Sequence, residues 1–137
     1  MENLPEERIV SRSDAESLAS VLGRMRTTGD AADADALFDL LEEASLVPHD
    51  RLPADRIAMH SRVTYEELAT GTRRTVVLVH PSEADPAQGR LSVLSPVGRA
   101  LLGRRPGTVV ATSGPGGRSL SFRILEAERT LESPQAQ

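Results

Sequence analysis

The apolar residues of this chain change their spacing once, at Val47-Pro48-His49-Asp50-Arg51-Leu52-Pro53-Ala54-Asp55, and that change limits the fold more than any other feature. Before it, Leu18, Val21, Leu22 and Met25 form a stripe at helical intervals, and Leu37, Leu40, Leu41 and Ala44 form a second. After it, the spacing is that of strands. Val63 and Tyr65 alternate with polar neighbours, and Thr75-Val76-Val77-Leu78-Val79-His80 is a β-prone run suited to a central strand. Leu91–Ser95, Val109–Thr112 and Ser119–Ala127 follow, the last with Leu120, Phe122 and Ile124 on one face. Helical period first and strand period second describe an α+β chain.

Local signals set the expected boundaries. Ser13-Asp14-Ala15-Glu16 has the spacing of a capping box and predicts a helix over residues 14–26, ended by Gly29. A second helix is expected from Asp33 or Asp35 to Ser45. The short segment between them makes the pair an antiparallel helical hairpin. Each arm, at about 1.5 Å per residue, would be on the order of 20 Å long and too short to stand alone in water. Further on, Ser95 is placed as the N-cap of a short helix, with Pro96 at its first position, where the missing amide costs nothing. Val97, Ala100, Leu101 and Leu102 supply its buried side, and Gly103 closes it. Pro106-Gly107 and Gly114-Pro115-Gly116-Gly117 read as tight connections. The expected organisation is an acidic helical hairpin over 1–46, a linker over 47–56, a sheet domain over 57–131 and a frayed tail over 132–137. In the sheet domain, the short helix covers one face of a predominantly antiparallel sheet.

Composition removes several functional classes. Phe38, Tyr65 and Phe122 are the whole aromatic complement of the 137 residues, too few to stack bases or line an aromatic pocket. With no cysteine there is no disulfide, thiolate ligand or thiol nucleophile. The start MENLPEERIV is acidic where a signal peptide is basic, and no apolar run is long enough to span a membrane, so a cytoplasmic location is expected. Charge is divided unevenly: residues 1–50 carry 12 acidic and 4 basic side chains, while residues 51–137 carry 8 acidic and 12 basic ones. An acidic front and a basic body would orient a charged partner, although a solvated helical face explains the acidic residues equally well.

Candidate chemistry is sparse. His49, His60 and His80 lack any ligand spacing, so no metal site or cofactor is expected, and His49 and His60 read as local hydrogen-bonding residues. The glycines at 114–117 lead through Arg118-Ser119 into a strand, whereas a phosphate-binding loop leads into a helix. Asp30, Asp33 and Asp35 miss the glycine and terminal glutamate of a calcium loop, and read instead as a negatively charged hairpin tip. Arg99, Arg104 and Arg105 gather around the short helix. They are either phosphate or partner contacts or simply solvated, and no sequence-specific DNA binding is expected of an acidic chain.

The stretch Leu91-Ser-Val-Leu-Ser-Pro-Val-Gly-Arg-Ala-Leu-Leu-Gly-Arg-Arg-Pro-Gly-Thr108 resembles the signature of the C-terminal domain of the Gre transcript-cleavage factors. There a strand runs into Ser-Pro-hydrophobic-Gly-x-Ala-Leu-Leu-Gly and then Gly-Asp; Thr108 stands here in place of that aspartate. Within the superfamily, Leu40-Leu-Glu-Glu-Ala44 and Leu52-Pro-Ala-Asp-Arg-Ile-Ala-Met-His-Ser-Arg-Val63 resemble the regulators of nucleoside diphosphate kinase, the Rnk branch. The resemblance implies an FKBP-like sheet domain and binding to RNA polymerase near its secondary channel, in competition with Gre-type factors. Arg99, Arg104, Arg105, Ser95 and Pro96 are the expected docking residues, and Asp30, Asp33 and Asp35 the second contact. A hairpin this short would not bring a carboxylate to the polymerase active site, so docking without efficient transcript cleavage is expected. The family name also implies a direct or indirect link to nucleoside diphosphate kinase. Two rival readings remain, a prolyl isomerase by fold analogy and a factor that does stimulate cleavage.

Overall fold

The computed structural model describes residues 8–25, 31–113 and 118–129. Strand β1 (Ile9–Ser11) leads into helices α1 (Arg12–Met25) and α2 (Ala31–Glu43), and β2 (Ser45–Val47) pairs parallel with β1. The larger sheet has the order β5-β4-β3-β7-β6, built from β3 (Ser61–Glu67), β4 (Arg73–Val79), β5 (Arg90–Ser92), β6 (Val109–Ser113) and β7 (Ser119–Arg129). All its pairs are antiparallel except β4 with β5. Helix α3 (Pro96–Leu101) lies between β5 and β6 in the chain. The result is the mixed α+β architecture expected from the two hydrophobic periods, with a mostly antiparallel sheet.

The first helix starts at Arg12, one residue before the capping box and two before the expected start. Ser11, at the end of β1, is the residue whose hydroxyl accepts the Asp14 amide, at 3.1 Å. Ser13 lies inside the helix. Strand β1 is what makes the difference, because it presents Ser11 in extended conformation at the point where a cap is needed. In the first turn of α1, the Asp14 carboxylate accepts the main-chain amide of Met59 at 3.1 Å and ties α1 to the entry of β3. Replacing Asp14 with alanine leaves that partly buried amide without its acceptor. A loss of about 1 to 2 kcal/mol is expected from urea unfolding, with Glu16→Ala on the exposed face as the near-neutral control.

Helix α2 starts at Ala31, earlier than the aspartates suggested, because Ala31 and Ala32 are strong helix formers. It ends at Glu43, and Ser45 is already in β2 opposite Ile9. The proline stretch holds one 3-10 turn, His49–Arg51, and then turns inward, so that Leu52, Arg56, Ile57, Ala58 and Met59 are buried. The segment between the helices at 27–30, the glycine connection at 114–117 and the tail beyond 131 lie outside the described residues.

The middle strand is β3 rather than β4. Strand β4 is flanked by β3 and by the three-residue β5, and its first residues, Arg73–Thr75, are exposed. The eleven-residue β7 pairs with both β3 and β6. Opposite Thr64 and Tyr65 its register shifts by one residue, at Leu125. That bulge moves the inward face from Leu120, Phe122 and Ile124 to Ala127. Tyr65 and Phe122, with ring centres 4.7 Å apart, sit in a continuous core with Val63, Leu78 and Val93. Leu18, Leu22, Leu37 and Leu41 of the two helices belong to the same core.

Candidate functional site

Helix α3 is built as its sequence predicts. The Ser95 hydroxyl accepts the Gly98 amide at 3.0 Å and donates to the Ser92 carbonyl at 2.7 Å, closing the N-terminal turn, while Pro96 takes the first helical position. At the other end, arginines hold the carbonyls that a helix terminus leaves unbonded. Arg8 donates from Nε to the Leu102 carbonyl at 2.8 Å and from Nη2 to that of Arg99 at 3.4 Å. The buried Arg56 donates from Nη1 to the Gly103 carbonyl at 3.1 Å. Burial, followed by the repulsion of neighbouring Arg104, pulls the Arg8 guanidinium down to about 10, with Glu43 opposing.

A cleft of about 400 Å³ opens beside α3. Arg8, Arg99, Arg104, Leu40 and Pro96 line it together with the chain from Thr108 to Thr112. Three of the expected docking residues, Pro96, Arg99 and Arg104, therefore share one concave surface. Ser95 is committed to capping, and Arg105 is exposed but does not line the cleft. Asp35 is exposed on α2. Asp30 and the side chain of Asp33 lie outside the described residues. Sequence reasoning missed Arg8, which stands alone ahead of β1 with no periodicity or motif to mark it.

A second polar cluster is smaller. His60, the one described non-glycine residue with positive φ, at 70°, hydrogen-bonds through Nε2 to Glu83 Oε1 at 3.0 Å. Its ring centre is 5.8 Å from that of His80. The local bonding role expected of His60 is what the structure shows. The same bond, outweighing partial desolvation, holds the Glu83 carboxyl below its ordinary value. Because the folded-state value is depressed, this stabilisation is present at neutral pH and is lost as pH falls through the folded value. Both side chains are about half exposed, 49% and 47%, so solvent screening keeps the effect small. Glu83→Gln is expected to remove this small acid-side dependence from unfolding measurements between neutral and acidic pH. An unchanged slope would show that the pair contributes nothing.

Residues 52–129 match the family model described as transcription elongation factor GreA/GreB, C-terminal. The chain belongs to the GreA/GreB family. Within this family, its similarity to Rnk extends over nearly its whole length: it is 35% identical to the regulator of nucleoside diphosphate kinase of Escherichia coli K12 over 125 residues, 91% of each chain. A GreA elongation factor of Nitratidesulfovibrio vulgaris is 38% identical over 85 residues, 62% of this chain and 52% of that one. Among solved structures, a GreA/GreB elongation factor from Nitrosomonas europaea superposes with a TM-score of 0.71 at 30% identity, over 90% of this chain and 99% of its own. The GreA/GreB match includes α3 with its Ser95-Pro96 entry and most of the cleft, but ends short of Arg8 and Leu40. As a member of this family, the chain is a transcription-regulating factor. No described helix is long and apolar enough to cross a membrane.

Proposed function

We propose that this chain is an Rnk-type regulator that binds RNA polymerase near the secondary channel and competes there with Gre-type factors without stimulating efficient transcript cleavage. The observation that carries this reading is the combination of whole-length similarity to an Rnk protein with helices of only 14 and 13 residues. In this reading, α1 and α2 form the arms of a hairpin over 1–46. Residues 47–56 connect it to an FKBP-like domain over 57–131, and 132–137 form a tail. At 1.5 Å per residue the longer arm spans about 21 Å. Metal-assisted cleavage needs a carboxylate within a few ångströms of the catalytic ion, and an arm of this length leaves Asp30, Asp33 and Asp35 short of it. The chain thus acts as a cytoplasmic binding protein rather than an enzyme, with no cofactor of its own. Its influence on nucleoside diphosphate kinase then follows through transcription.

The docking surface in this reading is the α3 face, with Ser95 and Pro96 shaping it and Arg99, Arg104 and Arg105 contributing charge. Co-purification with RNA polymerase tests it. Arg99→Glu combined with Arg104→Glu should weaken retention about tenfold or more, by analogy with charge reversal at other charged interfaces. Arg12→Glu and Arg24→Glu on α1 should leave retention largely unchanged. Equal losses from both pairs would place the surface elsewhere.

A further inference from the structure

The cleft beside α3 has a feature that docking by charge alone does not use. One of its walls is a strand edge. Among the described residues, strand β6 is last in the sheet order and pairs with β7 on one side only. The Ile124 amide donates to the Thr108 carbonyl at 2.9 Å. Antiparallel alternation therefore turns the main-chain groups of Val110 and Thr112 toward β7, and those of Val109 and Ala111 away from it. Val109 is 49% exposed, an unusual position for a large apolar residue at a sheet edge. The chain from Thr108 to Thr112 lines a cleft together with Arg8, Arg99 and Arg104 and with Leu40, Pro96 and Ala100. No carboxylate lines it among the described residues.

We infer that this cleft accepts an extended, acidic segment of a partner protein, which adds as a strand along β6 and turns carboxylates toward Arg99 and Arg104. Three observations converge on that occupant. The outward main-chain groups of Val109 and Ala111 are spaced to pair with every second residue of an added strand. Side chains alternate across a strand, so every second side chain of an added segment would face the α3 wall that carries Arg99. Acidic residues suit that set, because Arg8, Arg99 and Arg104 line the cleft and no carboxylate does among the described residues. A second copy of this chain is disfavoured as the occupant, since two such clefts facing each other would set arginine against arginine. The inference rests on the docking reading only for the identity of the partner, RNA polymerase, and not for the chemistry of what is bound.

The experiment is a titration of the full-length ¹⁵N-labelled chain with a short end-blocked peptide alternating glutamate and threonine. A peptide with glutamine in place of glutamate and inorganic phosphate serve as comparison ligands. The acidic peptide should shift the amides of Val109 and Ala111 first, and its binding should weaken about tenfold in the Arg99→Glu/Arg104→Glu variant. Arg12→Glu, on the exposed face of α1 and outside the cleft, should bind as the parent does, and the amide spectrum of each variant reports whether it is folded. Equal binding of the glutamine peptide, shifts confined to other residues, binding of phosphate alone or no binding at all would each overturn the inference. Adding polymerase separates the two readings. If the peptide binds at β6 but does not compete with polymerase, the docking reading fails and the strand-addition site stands. If polymerase retention falls in the arginine variant while no peptide binds, docking stands and strand addition fails.

Discussion

Gly98→Ala is expected to lower stability by about 3 kcal/mol, the upper end for overpacking a rigid site. A Cβ at Gly98 would run into the main-chain carbonyl oxygen of Ser92, and the Ser95 hydroxyl lies 3.0 Å from the same position. Neither neighbour can yield cheaply. The Ser92 oxygen accepts both the Ser95 hydroxyl and the Ser95 amide, and the Ser95 hydroxyl caps α3. Moving any one of these groups opens the turn that joins β5 to α3, and the cleft wall moves with it. The expected result is therefore a lower urea midpoint together with weaker retention on polymerase. Gly23→Ala is the matched control, because nothing lies within 4 Å of a Cβ there and alanine favours helix. If Gly98→Ala unfolded at the parent midpoint, the close approach would be wrong.

Phe122→Ala should cost about 4 kcal/mol, within the range for removing a fully buried aromatic side chain. Phe122 is fully buried in β7, the strand that joins β3 to β6, and it opposes Val110 and packs on Tyr65. Such a loss is a large fraction of the 5 to 15 kcal/mol that a domain of this kind typically has. Phe38→Ala, on the half-buried face of α2, should cost clearly less under the same unfolding protocol. Equal losses would mean that α2 carries as much of the core as the sheet does.

The two predictions fall on features of different legibility. Phe122 could be read from the strand period, because Leu120, Phe122 and Ile124 recur at every second position. Ser95-Pro96 and the short helix behind it could also be read, since capping and proline placement are local and use neighbouring residues. The start of α1 could not. Ser13 had the better local pattern, but β1 brought Ser11 into position through pairing with β2, a contact between residues more than thirty positions apart. Arg8 escaped notice for a similar reason: its partners, the carbonyls of Arg99 and Leu102, lie more than ninety positions away. The cleft therefore had three members visible in the sequence, Pro96, Arg99 and Arg104, because they share one segment. Its remaining walls, Leu40 and β6, join it only through the fold. The bulge at Leu125 left no mark either, since nothing in the β7 sequence interrupts its alternation with glycine or proline.

The most direct test of the proposed mechanism is transcript cleavage by stalled, backtracked polymerase complexes, measured with this chain alone and in competition with a GreA-type factor. The account predicts no acceleration above the intrinsic rate by the chain alone, and inhibition of GreA-stimulated cleavage that rises with its concentration. Acceleration comparable to that of the GreA-type factor, or a GreA response unchanged at saturating chain, would contradict it.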